Sequence, residues 1–296
     1  MKYAVIGAKG QLGHDLVARL PGEVTALTHA EADLTKSEAL SEKLAQLNPD
    51  IVINCAAYNF VDRAESEQAA AFAVNAWGVR DLAKICAVQN RVLVHFSTDY
   101  VFGLDGNRRL PYSETDAPGP LSVYGINKLA GEYAVRSICP RHFVIRTCGL
   151  YGVWGSGGKG GNFVETMLRV AGQGKPLRVV NDQICTPTYT VDLAEATIGL
   201  LKTGQYGLYH LTNSDCCSWF EFAQAIFEME GIKADLNPIP SSDYPTAAPR
   251  PSYSALAAKA YESLGLPALL PWREALAAYL GERRARENGV KSVLRQ

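Results

Sequence analysis

"KYAVIGAKGQLGHDL" fills residues 2–16, and its reading decides the fold. An apolar run, Tyr3 to Ile6, breaks into Gly7, Gly10 and Gly13, and apolar residues at helical spacing take over from Leu12. A strand that passes through spaced glycines into a helix is the first strand–helix turn of a dinucleotide-binding unit. There the missing side chains let backbone approach a pyrophosphate, and free N–H groups at the helix N-terminus meet its charge. The three glycines alone fit a tight turn with close strand–helix packing equally well.

The context selects between the two. Strand patterns recur at 2–7, 23–27, 50–55, 91–97 and 142–147, each a short, apolar, β-branched run. Helical patterns lie between them at 11–20, 36–47, 67–89 and 122–138. Runs of this kind belong to strands buried on both faces, and their alternation with helices predicts an α/β fold, a Rossmann-type doubly wound parallel sheet. We expect residues 1–150 to form the dinucleotide-binding domain. After residue 150 the pattern loosens: helices are expected at 163–172, 190–202 and 217–230, and short strands at 177–180 and 207–212. Residues 151–280 read as a smaller C-terminal substrate lobe whose segments can return to the sheet. A Gly-rich stretch at 151–162 reads as a mobile loop. The polar, basic stretch 281–296 reads as a flexible tail.

Composition narrows the function. The chain has 296 residues, 47% hydrophobic and 20% charged, with a net charge of −1. That balance supports a full core and provides no basic field for nucleic acid and no polybasic membrane signal. No apolar run is long enough to span a bilayer. The strand pattern starts at the second residue, which leaves no room for a signal peptide, and a cytoplasmic protein is expected. The seven cysteines are odd in number and form no CxxC pair. They read as buried thiols in a reducing compartment, and the five scattered histidines show no ligand spacing, so no metal is expected.

The second strand pattern ends at "TALTHAEADLT", where an acid would accept hydrogen bonds from a ribose 2′-OH and repel a 2′-phosphate. Thr28 and His29 stand there instead, and no acid appears before Glu31. This favours NADPH, or tolerance of both NADPH and NADH.

"HFSTDYVF" (95–102) and "SVYGINKLAGEYAV" (122–135) carry the chemistry. Tyr124 and Lys128, four apart on one helix, have Cβ atoms about 5–6 Å apart. An ammonium that close lowers a phenol's pKa from near 10, and such a tyrosine can protonate a developing alkoxide. Ser97, Thr98 and Asp99 lie past the carboxyl end of the fourth strand, the edge along which open α/β sheets bind ligands. Thr98 there can hydrogen-bond the oxygen that Tyr124 protonates. Alone, "STD" fits a turn cap and a YxxxK pair fits an exposed helix face. Their combination with the glycine loop points to a ketone-reducing site.

These stretches resemble the dTDP-4-dehydrorhamnose reductase family of the extended short-chain dehydrogenase/reductase superfamily. The resemblance covers about residues 2–280. It is carried by "GAKGQLG" (7–13), "ADLT" (32–35), "DIVINCAAYNFVDRAESE" (50–67), "VNAWG" (74–78), "STDYVF" (97–102), "YGINKLAGE" (124–132), residues 162–194 and "RPSYSAL" (250–256). It implies reduction of the C4 ketone of a nucleotide-linked 4-keto-6-deoxy sugar. Tyr124 would be the acid, Lys128 would tune it and hold the nicotinamide ribose, and Thr98 would polarise the ketone. It implies cofactor contacts at Gly7, Gly10, Gln11, Leu12, Gly13, His29, Asp33, Leu34, Ala56, Ala57, Tyr58, Tyr124 and Lys128. It places Thr98, Asp99, Tyr124, Asn162 and Arg250 on the substrate, and it allows a homodimer.

One departure bears on the substrate. The family reads Arg-Thr-Ser-Trp after its fifth strand, with the Trp packed on the sugar, whereas this chain reads "RTCGLYG" (146–152). Cys148 and Gly149 stand in place of Ser and Trp, and Trp154 is a candidate to compensate. The "GLYG" form is closer to epimerases and dehydratases that retain NAD. A non-catalytic dinucleotide-binding subunit is a further alternative, opposed by the full Thr98, Tyr124 and Lys128 set.

Overall fold

The computed structural model describes residues 1–154 and 161–293, with side chains to residue 288. Residues 155–160 of the Gly-rich stretch and 294–296 of the tail lie outside the described residues. The first half runs β1 (Lys2–Ile6), α1 (Gln11–Arg19), β2 (Glu23–Leu27), α2 (Ser37–Leu47) and β3 (Ile51–Asn54). It continues through short helices α3 (Val61–Ala64) and α4 (Gln68–Phe72), a π-helical segment Ala73–Gly78, α5 (Val79–Val88), β4 (Val92–Thr98), α6 (Val123–Ile138) and β5 (His142–Thr147).

The second half is more broken. It contains β6 (Leu150–Tyr151), α7 (Phe163–Ala171), β7 (Leu177–Val180), β8 (Ile184–Cys185), β9 (Thr188–Tyr189), α8 (Thr190–Thr203) and β10 (Gly207–His210). Then follow β11 (Cys217–Ser218), α9 (Trp219–Glu230), β12 (Leu236–Ile239), α10 (Lys259–Glu262) and α11 (Trp272–Val293).

Six parallel strands form the central sheet in the order β10-β5-β4-β3-β1-β2. The order reverses between β1 and β3, which opens a crevice at their carboxyl ends. Alternating residues divide the core in two. Tyr3, Val5, Ile53 and Val94 point to one face, where α1 and α8 cover them through Leu12, Leu16, Leu193 and Leu200. Ala4, Ile6, Val52 and Leu93 point to the other, beneath Leu40 and Leu44 of α2, Leu82 of α5 and Val135 of α6. The two-residue period of a strand and the 3.6-residue period of a helix make this layering possible.

A separate core holds the lobe together: Tyr151, Val164, Tyr189, Phe222, Ile226, Leu276 and Tyr279. The chain crosses between the bodies, since α8 and β10 complete the sheet after residue 150. The expected flexible tail is different in the structure: α11 runs on to Val293. Its polar residues have partners on other elements. Tyr189 donates to Glu282, Arg283 pairs with Glu165 at 2.7 Å, and Arg284 contacts Glu230 at 2.5 Å. A hydrophilic stretch can thus be ordered by pairing, without an apolar period of its own.

Candidate active site

The glycine loop leaves β1 at Gly7, whose φ of +79° lies in the left-handed region. A Cβ on Gly7 would stand 2.8 Å from the Ala56 nitrogen, and one on Gly13 would collide with the Gly7 carbonyl. The loop is therefore drawn tightly between β1, β3 and α1, a closeness that glycine alone permits. Gly10 is the N-cap of α1 and makes no side-chain cap bond, so the helix start presents bare backbone. This cradle at the switch point fits the pyrophosphate of a dinucleotide. Leu12 is buried beneath it.

Beyond β2, a cavity of about 170 Å³ is lined by His29, Glu31, Asp33, Lys36 and Leu40, among others. Glu31 accepts from the Thr28 nitrogen and hydroxyl at 2.9 and 2.8 Å, which turns its carboxylate back on its own turn. Asp33 is likewise held by the Thr35 nitrogen and hydroxyl. Leu34 belongs to the buried core at this corner. His29 and Lys36 are the groups here suited to a 2′-phosphate.

On the next strand end, Ala56 donates from its backbone to Asn54 Oδ1, and Ala57 follows. Tyr58 is clamped by Asn75: its N–H donates to Asn75 Oδ1 at 2.9 Å, and Asn75 Nδ2 donates to the Tyr58 carbonyl at 2.8 Å. Asn75 Nδ2 also reaches Asn127 Oδ1 on α6 at 2.8 Å. Sequence reading missed this Asn75–Asn127 link between the π-helical segment and α6. A single asparagine in a helix carries no pattern, and only packing shows its partner.

Helix α6 is capped at its start by Ser122, whose hydroxyl accepts from the Gly125 nitrogen. A side chain on Gly125 would strike the Tyr100 carbonyl, so this glycine lets α6 press onto the turn after β4. That contact brings Tyr124 to Thr98, whose side chain acts on the Tyr124 phenol. Thr98 donates to Asp99 Oδ1 at 3.1 Å. Asp99 is buried, and burial pushes its carboxyl above the usual range against the hydrogen bonds from Ser254, Cys148 and Thr98. Ser254 donates to its Oδ2 at 2.6 Å.

Lys128 is buried and donates to the Phe96 carbonyl at 2.6 Å. Desolvation lowers its pKa to about 8, opposed by Glu132 and Cys55. Tyr124 behaves differently from the sequence expectation: burial pushes its phenol up, and the Thr98 bond offsets this only in part. The Lys128 ammonium is turned towards the Phe96 carbonyl. Such a tyrosine is fully protonated at neutral pH, the state an acid needs before it donates.

Two expected substrate residues are engaged within the chain. Asn162 caps α7, and its Nδ2 donates to Gln11 Oε1 at 3.1 Å and to the Gly152 carbonyl at 3.0 Å. Gln11 also accepts from the Gly152 nitrogen, so the glycine loop and the lobe are fastened together at this point. Arg250 forms a two-pronged ion pair with Asp62, both bonds at 2.7 Å. Trp154 is occupied as well. It stacks on His14 with ring centroids 3.4 Å apart, and Arg286 lies 3.6 Å from its ring centre.

A glycine cradle at a switch point, with Thr98 at the end of β4 and Tyr124 and Lys128 on the following helix, defines an oxidoreductase of the extended short-chain dehydrogenase/reductase class. The chain belongs, more narrowly, to the family described as RmlD substrate binding domain, whose model matches residues 1–285. It is 42% identical over 280 residues to the dTDP-4-dehydrorhamnose reductase of Mycolicibacterium smegmatis, covering 93% of this chain and 84% of that one. It is 41% identical to the spore coat polysaccharide biosynthesis protein SpsK of Bacillus subtilis, over 95% of this chain and 98% of the relative. Among solved structures it is similar to the dTDP-4-dehydrorhamnose reductase of Bacillus anthracis in complex with NADP. The TM-score is 0.90 at 36% identity, covering 95% of this chain and 99% of that one. Among the described residues, no helix is long and apolar enough to cross a membrane.

Proposed function

We propose that the chain reduces the C4 ketone of a dTDP-linked 4-keto-6-deoxy sugar, the reaction class of dTDP-4-dehydrorhamnose reductase, with NADPH preferred over NADH. The observation that carries this reading is the grouping of Tyr124, Thr98 and Asp99, with Thr98 bonded to Asp99 and acting on the Tyr124 phenol, and with Lys128 one turn further along α6. The nicotinamide, when bound, supplies a hydride equivalent. Tyr124 holds a proton on its phenol and delivers it to the ketone oxygen as negative charge develops there. Thr98 donates to that same oxygen once its hydroxyl turns from Asp99. Two donors aimed at that oxygen lower the cost of the oxyanion. Lys128 stands ready, as a buried cation, to hold a ribose hydroxyl and to compensate the phenolate after transfer. Asp99, held by Ser254 and Cys148, orients Thr98.

The preference for NADPH rests on His29 and Lys36 beside the second strand and on the engagement of Glu31 with Thr28. Seven free thiols suit a reducing compartment, and we assign the cytoplasm on that ground.

The test is NADPH oxidation by the purified protein over a panel of nucleotide-linked keto-sugars. Turnover with dTDP-4-keto-L-rhamnose is expected. Absence of turnover with every member would overturn the reading, and NAD found tightly bound to the purified protein would favour an epimerase or dehydratase instead.

A further inference from the structure

Gly149 follows Cys148 directly, and the buried Cys148 thiol acts on Asp99, the neighbour of Thr98. The glycine has a φ of +52°, and a Cβ built on it would stand 3.3 Å from Trp219 Cη2 and 3.3 Å from Pro187 Cα. The edge of the Trp219 indole therefore reaches the bare backbone beside the reacting groups. Trp219 is partly accessible, whereas Cys148 and Cys185 are buried.

The indole is held firmly. Trp219 opens α9, whose N-cap Ser218 makes a reciprocal capping box with Glu221, and the Ser218 hydroxyl donates to Asn181 Oδ1 at 2.8 Å. Phe163 packs on it with ring centroids 4.7 Å apart. Phe163 adjoins Asn162, the residue bonded to Gln11 of the glycine loop. A rigid aromatic surface is thus tied through its neighbours to both halves of the crevice.

We infer that Trp219 is a specificity-determining residue whose indole forms the apolar surface for the sugar ring of the substrate; this rests on the function proposed above. A pyranose presents C–H groups on its faces, and a 6-deoxy sugar adds a methyl group where other hexoses carry a hydroxyl. Both match a flat apolar ring that costs little entropy to order. Trp154, the other tryptophan near this segment, is taken up between His14 and Arg286.

The test uses the full chain with NADPH and the variants Trp219→Ala and Trp219→Phe. Trp219→Ala is expected to raise KM for dTDP-4-keto-L-rhamnose about tenfold or more, with kcat and NADPH affinity nearly unchanged. Trp219→Phe is expected to recover most of the loss. A second readout needs neither turnover nor the alanine variant. Titration with dTDP-L-rhamnose should change the intrinsic tryptophan fluorescence of the wild type, and this change should disappear in Trp219→Phe. An unchanged KM in Trp219→Ala, or a fluorescence response that persists in Trp219→Phe, overturns the assignment. Failure of the wild type to turn over any keto-sugar strikes the proposed function, and the fluorescence titration still decides whether Trp219 meets the ligand.

Discussion

The Lys128 ammonium lies 2.6 Å from the Phe96 carbonyl oxygen, enclosed at the carboxyl end of β4. Its burial brings the pKa down to about 8. Below that pH the folded protein carries the cation, and above it the neutral amine. In the unfolded chain the group titrates near its ordinary value of about 10.4. Between those limits the folded state binds fewer protons, so burial of Lys128 costs stability at low pH and the cost is relieved as pH rises through that window. Under the proposed function activity has the opposite sign, because the cation is assigned to the cofactor. We expect kcat/KM for NADPH to fall above about pH 8, and the corresponding break to vanish in Lys128→Met. A profile flat to pH 10 in the wild type would remove Lys128 from the cofactor site.

Tyr124 offers a sharper separation of chemistry from binding. Tyr124→Phe deletes the phenolic proton but keeps the ring against Tyr100, whose centroid is 6.0 Å away. A general acid contributes roughly 10²–10⁴ in rate. We expect kcat to drop by about that factor while NADPH affinity stays within about twofold. Stopped-flow turnover and cofactor titration read the two quantities independently.

Cofactor choice can be tested at the cavity beside β2. Lys36→Ala removes a cation from the lining of that cavity. KM for NADPH should rise several-fold and KM for NADH should hardly move. Equal changes for both cofactors would place the 2′-phosphate elsewhere.

Glu132 and Arg146 tie α6 to β5 as a buried pair, with Arg146 Nη2 2.7 Å from Glu132 Oε2 and side chains 0% and 1% exposed respectively. Removing one partner strands a charge without solvent. Glu132→Ala should lower unfolding stability by about 3–5 kcal/mol in urea titrations. The paired change to two apolar residues of similar size should recover much of it.

Truncation after Gly281 tests the C-terminal helix. It removes the contacts of Glu282, Arg283, Arg284 and Arg286 with Tyr189, Glu165, Glu230 and Trp154. We expect a lower melting temperature and weaker cofactor binding, because Trp154 stacks on His14 in the helix that opens at the glycine loop. An unaffected truncate would mean that these pairs contribute nothing measurable, as exposed ion pairs often do.

Much of the sheet is legible in the amino-acid sequence. The runs ending at Ile6, Leu27, Asn54, Thr98 and Thr147 are apolar and β-branched, and the amphipathic stretches between them have one viable partner, a sheet covered on both faces. The glycine loop and the Tyr124–Lys128 spacing are legible for the same reason: turn geometry and helix period are properties of a few adjacent residues. The minor strands β6, β8, β9 and β12, two to four residues each, leave no such imprint. Their pairing comes from neighbours in space.

What the sequence by itself determined is therefore the local code: the strand–helix alternation, the cradle around Gly7 and the Tyr124–Lys128 pair on α6. Tertiary structure alone decided which distant groups complete the site. Ser254 on Asp99, Asn162 on Gln11, Trp219 over Gly149 and Arg283 on Glu165 each join residues 70 to 155 positions apart. No periodicity or turn rule acts over such separations. These contacts exist because the two cores pack in one arrangement, and that arrangement, rather than any local preference, brings their side chains within bonding distance.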